Sequence, residues 1–175
     1  MERGGVRAVP VPEGGLAERM LPNVHYADAY AALLPPNVGA RALAGAVLAS
    51  SPRWVALLMA FRNAVVRPLG LVATPTALER AAAIMNRTGE RIGIFPVLAE
   101  TPDEVLLGLD DRHLDFRVSV RILDRGDERL GVVATLVRFH GILGRAYFAP
   151  VRPAHRLIVP TMLRLGVRRL ATAGA

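Results

Sequence analysis

The stretch His113-Leu114-Asp115-Phe116-Arg117-Val118-Ser119-Val120-Arg121-Ile122-Leu123 decides the fold. His113, Asp115, Arg117, Ser119 and Arg121 fall on one face, and Leu114, Phe116, Val118, Val120 and Ile122 on the other. A repeat of two is the repeat of a strand, and polar residues alternating with hydrocarbon mark a half-buried antiparallel one. Asp124–Glu128 reads as a turn, and Arg129–His140 as the partner strand. A two-residue turn at Gly126-Asp127 sets Arg125 opposite Glu128, Asp115 opposite Arg138 and His113 opposite His140, with Phe116 diagonal to Phe139. A slip of one residue would set Asp115 against Val137 instead. Opposite charges across a ladder contribute about 0.2–1 kcal/mol, so the first register is expected.

Upstream, Ile92–Ala99 and Glu104–Leu109 are apolar runs on either side of a turn signal, Thr101-Pro102-Asp103. Val24–Leu33 reads as the first strand, ended by Pro35 and Pro36. Gly39–Ser50 is small and helix-compatible. Ser51-Pro52 supplies an N-cap and a first-turn proline, followed by an apolar stripe of Trp54, Leu57, Leu58, Phe61 and Val65 that Pro68 and Gly70 close. Thr76 and Glu79 form a capping box for a short helix to about Asn86. Downstream, Arg145–Ala171 reads as a helix interrupted at Pro150, Pro153 and Pro160. Ile158, Met162 and Leu165 form one side, with the stem of Arg169, and Leu163 and Val167 flank it. Consecutive antiparallel strands followed by one long helix give an α+β fold. The expected architecture is a curved antiparallel sheet wrapped around the long C-terminal helix, with two or three helices after the first strand. Residues 1–20 are expected to be a flexible N-terminal arm and residues 21–175 a single α+β domain.

The chain lacks cysteine, which excludes disulfides, thiolate catalysis and cysteine-zinc sites. It holds no charge-free run near the ~18 residues of a membrane span, and its start shows no secretory leader, so a soluble, cytoplasmic protein is expected. The net charge is +7, and every basic residue is arginine. No acid follows Glu128, whereas Arg129, Arg138, Arg145, Arg152, Arg156, Arg164, Arg168 and Arg169 do. This basic tail either attracts anions or is simply a solvated helix face.

Three blocks carry a family resemblance: Ser51-Pro52-Arg53-Trp54, His113-Leu114-Asp115-Phe116-Arg117, and Gly144-Arg145-Ala146-Tyr147 followed by Pro153-Ala154-His155-Arg156. In their order and spacing the chain resembles the bacterial domain of unknown function numbered DUF 2867, from about Leu21 to Leu170. That family has no assigned catalytic residues, so the resemblance transfers no site. Some members resemble appendages of reductase-like domains, which makes a reductase a candidate partner. The family is also similar to the START/polyketide-cyclase-like helix-grip (SRPBCC) superfamily, which implies a ligand cavity between sheet and helix. No cofactor is expected, because Gly141 and Gly144 lack the third glycine of a nucleotide fingerprint.

The ligand-binding candidates are Trp54, Arg62, Phe116, Phe139, Tyr147, His155 and Arg156. A histidine, a tyrosine hydroxyl and an arginine can orient a carboxylate or enolate, and histidine moves protons near neutral pH. The alternative is that Tyr147 anchors the helix, His155 caps a carbonyl freed by proline, and Trp54 with Phe61 is core. Arg62 either needs a carboxylate partner, binds an anionic group or reaches solvent along its stem. His113, Asp115 and His140, with Asp111, have metal-ligand chemistry, but an adjacent arginine competes for the carboxylate, and no metal is expected.

Three functions remain open. The first is binding of a small apolar or amphipathic anionic ligand between the sheet and the C-terminal helix. The second is an enzyme of the cyclase, dehydratase or isomerase kind. The third is an interaction module docking on an acidic or reductase partner through its basic face. A homodimer through an open sheet edge is compatible with each. Nucleic acid is disfavoured, because the basic segment lacks interleaved aromatics.

Overall fold

A computed structural model describes residues 5–50, 90–93, 95–110 and 113–173. Trp54, Arg62 and the helices expected between Ser51 and Asn86 lie outside the described residues. The described elements are β1 (Val6–Val9), α1 (Leu16–Met20), β2 (Tyr26–Leu33), α2 (Ala40–Ala49), β3 (Arg91–Ile92), β4 (Phe95–Glu100), β5 (Glu104–Asp110), β6 (Leu114–Arg125), β7 (Glu128–Phe139) and α3 (Gly141–Ala173). They make an α+β fold. The strands form one antiparallel sheet in the order β1-β2-β7-β6-β5-β4-β3, curved and unclosed, with β1 and β3 at its edges.

The β6–β7 hairpin adopts the expected register, with Arg125 opposite Glu128 and Asp115 opposite Arg138. The His140 N–H donates to the His113 carbonyl at 2.8 Å, which continues the ladder past the strand ends. Gly126 has φ +59°, the left-handed value that a two-residue hairpin turn takes most easily at glycine. On its other side β7 pairs with β2, placing Asp28 opposite Thr135 and Tyr26 opposite Val137.

One face of the sheet carries Val118, Val120, Ile122, Val133, Val105 and Leu107, and meets α2 and α3. Along α3 the apolar contact is made by Ile158, Leu163 and Val167, whereas Leu165, expected on that side, is exposed. Gly166 lets the two helices touch: a β-carbon there would lie 2.9 Å from the Val47 nitrogen of α2.

The other face departs from expectation. Its polar residues on β6 alternate as the sequence indicates, but Asp115, Arg117 and Ser119 are buried. The N-terminal stretch covers part of this face, around Glu104 and Ser119. It supplies β1, which pairs with β2, and α1, whose Ala17 packs with Leu21 on Ala29, Ala31, Leu106, Val132 and Ala134. The buried Glu104 carboxylate holds this cover, accepting from the Leu16 N–H at 2.9 Å and the Ser119 hydroxyl at 2.6 Å. On the same face Asp115 accepts from Arg138 Nε at 2.8 Å, and its Oδ2 lies 3.0 Å from His140 Nε2. The carboxylate of the metal reading is thus an ion-pair partner that closes the end of the β6–β7 hairpin.

Candidate functional site

In β2, Tyr26, Asp28 and Tyr30 alternate with alanines, so all three stand on the face that meets α3. The α3 side chains above them are Phe148, Arg152, His155 and Arg156, spaced at one to two helical turns. The Tyr26 hydroxyl donates to Asp28 Oδ2 at 2.5 Å. His155 Nε2 lies 3.3 Å from Asp28 Oδ1. The two side chains are 12 % and 14 % exposed, so water competes weakly for this contact. The Arg152 guanidinium sits 5.4 Å above the Tyr26 ring centroid, within cation–π range. Aromatic contacts run outward from the same ring, from Tyr26 to Phe148 at 4.8 Å, from Phe148 to Phe139 at 5.2 Å and from Phe139 to His25 at 5.6 Å.

The electrostatics follow from this packing. Burial alone would raise the Asp28 carboxyl, but hydrogen bonds from His155 and Tyr26 and the charges of His155 and Arg156 outweigh it. The carboxyl is held below its ordinary value and is ionised at neutral pH. The Tyr26 hydroxyl is pushed up to about 12, first by burial and then by the Asp28 carboxylate, with Arg156 acting in the opposite direction. Burial and Asp28 also raise Tyr30. Because the folded Tyr26 value lies above the unfolded value of 10.0, an unfolded chain ionises first, and stability falls as pH climbs from 10.0 to about 12. Ultraviolet titration of phenolate should show a step near the upper end of that window that Tyr26→Phe removes. A Tyr26→Phe chain with an unchanged titration curve would contradict the assignment.

The expected site residues separate in the fold. His155 and Arg156 join the Asp28 cluster, and Phe139 reaches it through Phe148. Tyr147 is buried against Leu114. Phe116 packs on Phe95 at 5.7 Å and belongs with the main core. His155, expected to cap a backbone carbonyl under the alternative reading, faces Asp28. The tyrosine beside His155 is Tyr26 of β2, and Asp28, Arg152 and Thr135 complete a group that the sequence reading did not single out. The available signal was the alternation Tyr26-Ala27-Asp28-Ala29-Tyr30, a polar file on one face of an apolar strand.

Taken together, the site offers an ionised carboxylate that orients an imidazole and a phenol, two arginines at its rim and a string of aromatic rings. That set can hold an amphipathic anion or relay a proton. No helix among the described residues is long and apolar enough to cross a membrane. No curated protein matches the chain, and no solved structure does. One family model does match, over residues 20–162, a span that includes β2, the β6–β7 hairpin and the part of α3 bearing His155. The chain therefore belongs to the family described as protein of unknown function (DUF2867).

Proposed function

We propose that the protein binds a small amphipathic anion where β2 meets α3. The observation that carries this reading is the convergence of Arg152, His155 and Arg156 from the helix on Tyr26 and Asp28 from the sheet, beside the Phe148–Phe139 pair. The two arginines outnumber the single carboxylate, so the rim keeps a positive field for an anionic end, and the aromatic rings suit an apolar body.

Anilinonaphthalene sulfonate has both parts and serves as the probe. Fluorescence titration of the folded protein should give saturable binding that Arg152→Ala with Arg156→Ala weakens about tenfold. Arg164→Ala with Arg168→Ala removes the same charge further along α3 and should leave affinity unchanged. An equal loss in both double variants would defeat the reading and favour docking through the whole basic face. Mass spectrometry of small molecules released from the denatured protein would then identify the natural ligand.

A second reading rests on the Asp28–His155 contact. A carboxylate behind an imidazole is how a general base is oriented, so the same site is suited to proton transfer on its ligand, as an isomerase or dehydratase requires.

A further inference from the structure

Thr135 is 1 % exposed, and among the described residues its hydroxyl has no hydrogen-bond partner. Among the described residues the other buried polar side chains, Ser50, Glu104, Asp115, Arg117 and Ser119, each make at least one. Along β7 and toward β6 the neighbours of Thr135 on its face are apolar, Val133, Val137 and Val118, and its polar neighbour lies on the β2 side. Valine has the same shape and would fit the pattern without leaving a polar atom unpaired. A hydroxyl that weakens its own core is the kind of local conflict expected at a functional position.

Its place gives the conflict a meaning. Thr135 is directly opposite Asp28 in the β2–β7 ladder, so the two side chains stand together on the site face with β-carbons about 4.5–5.5 Å apart. Among the described residues the Asp28 carboxylate is hydrogen-bonded by Tyr26 and His155, with Tyr30 also beside it, and a carboxylate offers about four acceptor sites in all.

We infer that Thr135 is the floor of the binding site and that, with Asp28, it takes a hydroxyl group of the ligand. The inference rests on the proposed binding of an amphipathic anion at this site. The chemistry selects the group. Asp28 can only accept, so a carbonyl has nothing to offer it. An ammonium would satisfy Asp28 but would face Arg152 and Arg156. A hydroxyl donates to the carboxylate and exchanges a second hydrogen bond with Thr135. The ligand class is then a hydroxylated amphipathic acid, its carboxylate at the arginines and its hydroxyl within.

The test compares decanoate with beta-hydroxydecanoate by calorimetry on wild type and Thr135→Val. Wild type should prefer the hydroxy acid about tenfold, since a site built to hydrogen-bond a hydroxyl discriminates against its absence. Thr135→Val should lose the preference, binding beta-hydroxydecanoate no more tightly than decanoate, and melt at a higher temperature without ligand. Thr135→Ser retains the hydroxyl and should retain the preference. A preference that survives in Thr135→Val overturns the inference, and so does a lower melting temperature of the unliganded variant, which would reveal a partner inside the protein. Wild type that binds both acids equally refutes the hydroxyl assignment and leaves anion binding standing, whereas binding of neither acid defeats the site itself.

Discussion

Replacing Asp28 by alanine is expected to lower the unfolding free energy by about 3 kcal/mol at neutral pH, the upper part of the range for breaking a part-buried charged network. The carboxylate joins β2 to α3, accepting from Tyr26 at 2.5 Å and contacting His155 at 3.3 Å. Without it a phenol and an imidazole lose their partner at a helix–sheet contact where water has little access. The effect should depend on pH in a defined direction. The folded carboxyl lies below its ordinary value of 3.8, so its contribution is fully present above that value and is lost as pH falls through the folded one. Denaturant unfolding at a series of pH values should therefore show a wild-type advantage that is constant at neutral pH and shrinks below about pH 4. An advantage that persists undiminished in strong acid would show that Asp28 acts by packing and not by charge. The same variant should lose the anionic probe, because Tyr26, His155 and Arg156 would no longer be held in one group.

The second large effect is expected at Gly144. In this first turn of α3 a β-carbon would collide with the His113 carbonyl oxygen and lie 3.2 Å from the Phe139 β-carbon. The closer of these is a backbone atom, which cannot rotate away, so the start of the helix would have to lift from the end of the β6–β7 hairpin. Overpacking of this kind costs about 3 kcal/mol, which for a chain of this size is a melting temperature lower by roughly 6–12 °C. Gly45 in α2 provides the control, since no atom of the described residues lies within 4 Å of a β-carbon there. Gly45→Ala should be stabilising by about 0.5–1 kcal/mol, the helix propensity difference alone. Opposite signs for the two glycine-to-alanine changes, read by thermal unfolding, separate close approach from propensity. Gly144→Ala melting at or above wild type would show that α3 is not seated on that carbonyl.

Much of the architecture was legible because it is written in local periodicity. The alternation from His113 to Leu123 names a strand and its two faces, and the charge pair Asp115–Arg138 selects one register of the hairpin over its neighbour. The long C-terminal helix was legible despite three prolines, because its apolar residues recur over more turns than the prolines interrupt. The site was legible in part. His155 and Arg156 stand out as chemistry-bearing residues on a helix that must meet a sheet, and both join the cluster. Tyr147 and Phe116 carry equal promise in sequence, yet Tyr147 is buried against Leu114 and the half-buried Phe116 packs on Phe95. Which face of a helix a tyrosine takes depends on how that helix is rotated over its sheet, and this is set by contacts such as Gly166 on Val47 and Gly144 on His113.

By itself, then, the amino-acid order determined the α+β class, the hairpin and its register, and the basic character of the last helix, all properties of residues near one another along the chain. Only the tertiary structure decided that Val6–Val9 extends the sheet beyond β2, that Leu16–Met20 packs on a sheet face that reads as solvated, and that Asp28 sits under His155 with Thr135 beside it. The physical reason is distance along the chain. Asp28, Thr135 and His155 are brought together by strand order and helix seating, and those arise from the summed burial of many apolar side chains, which no short stretch of sequence encodes.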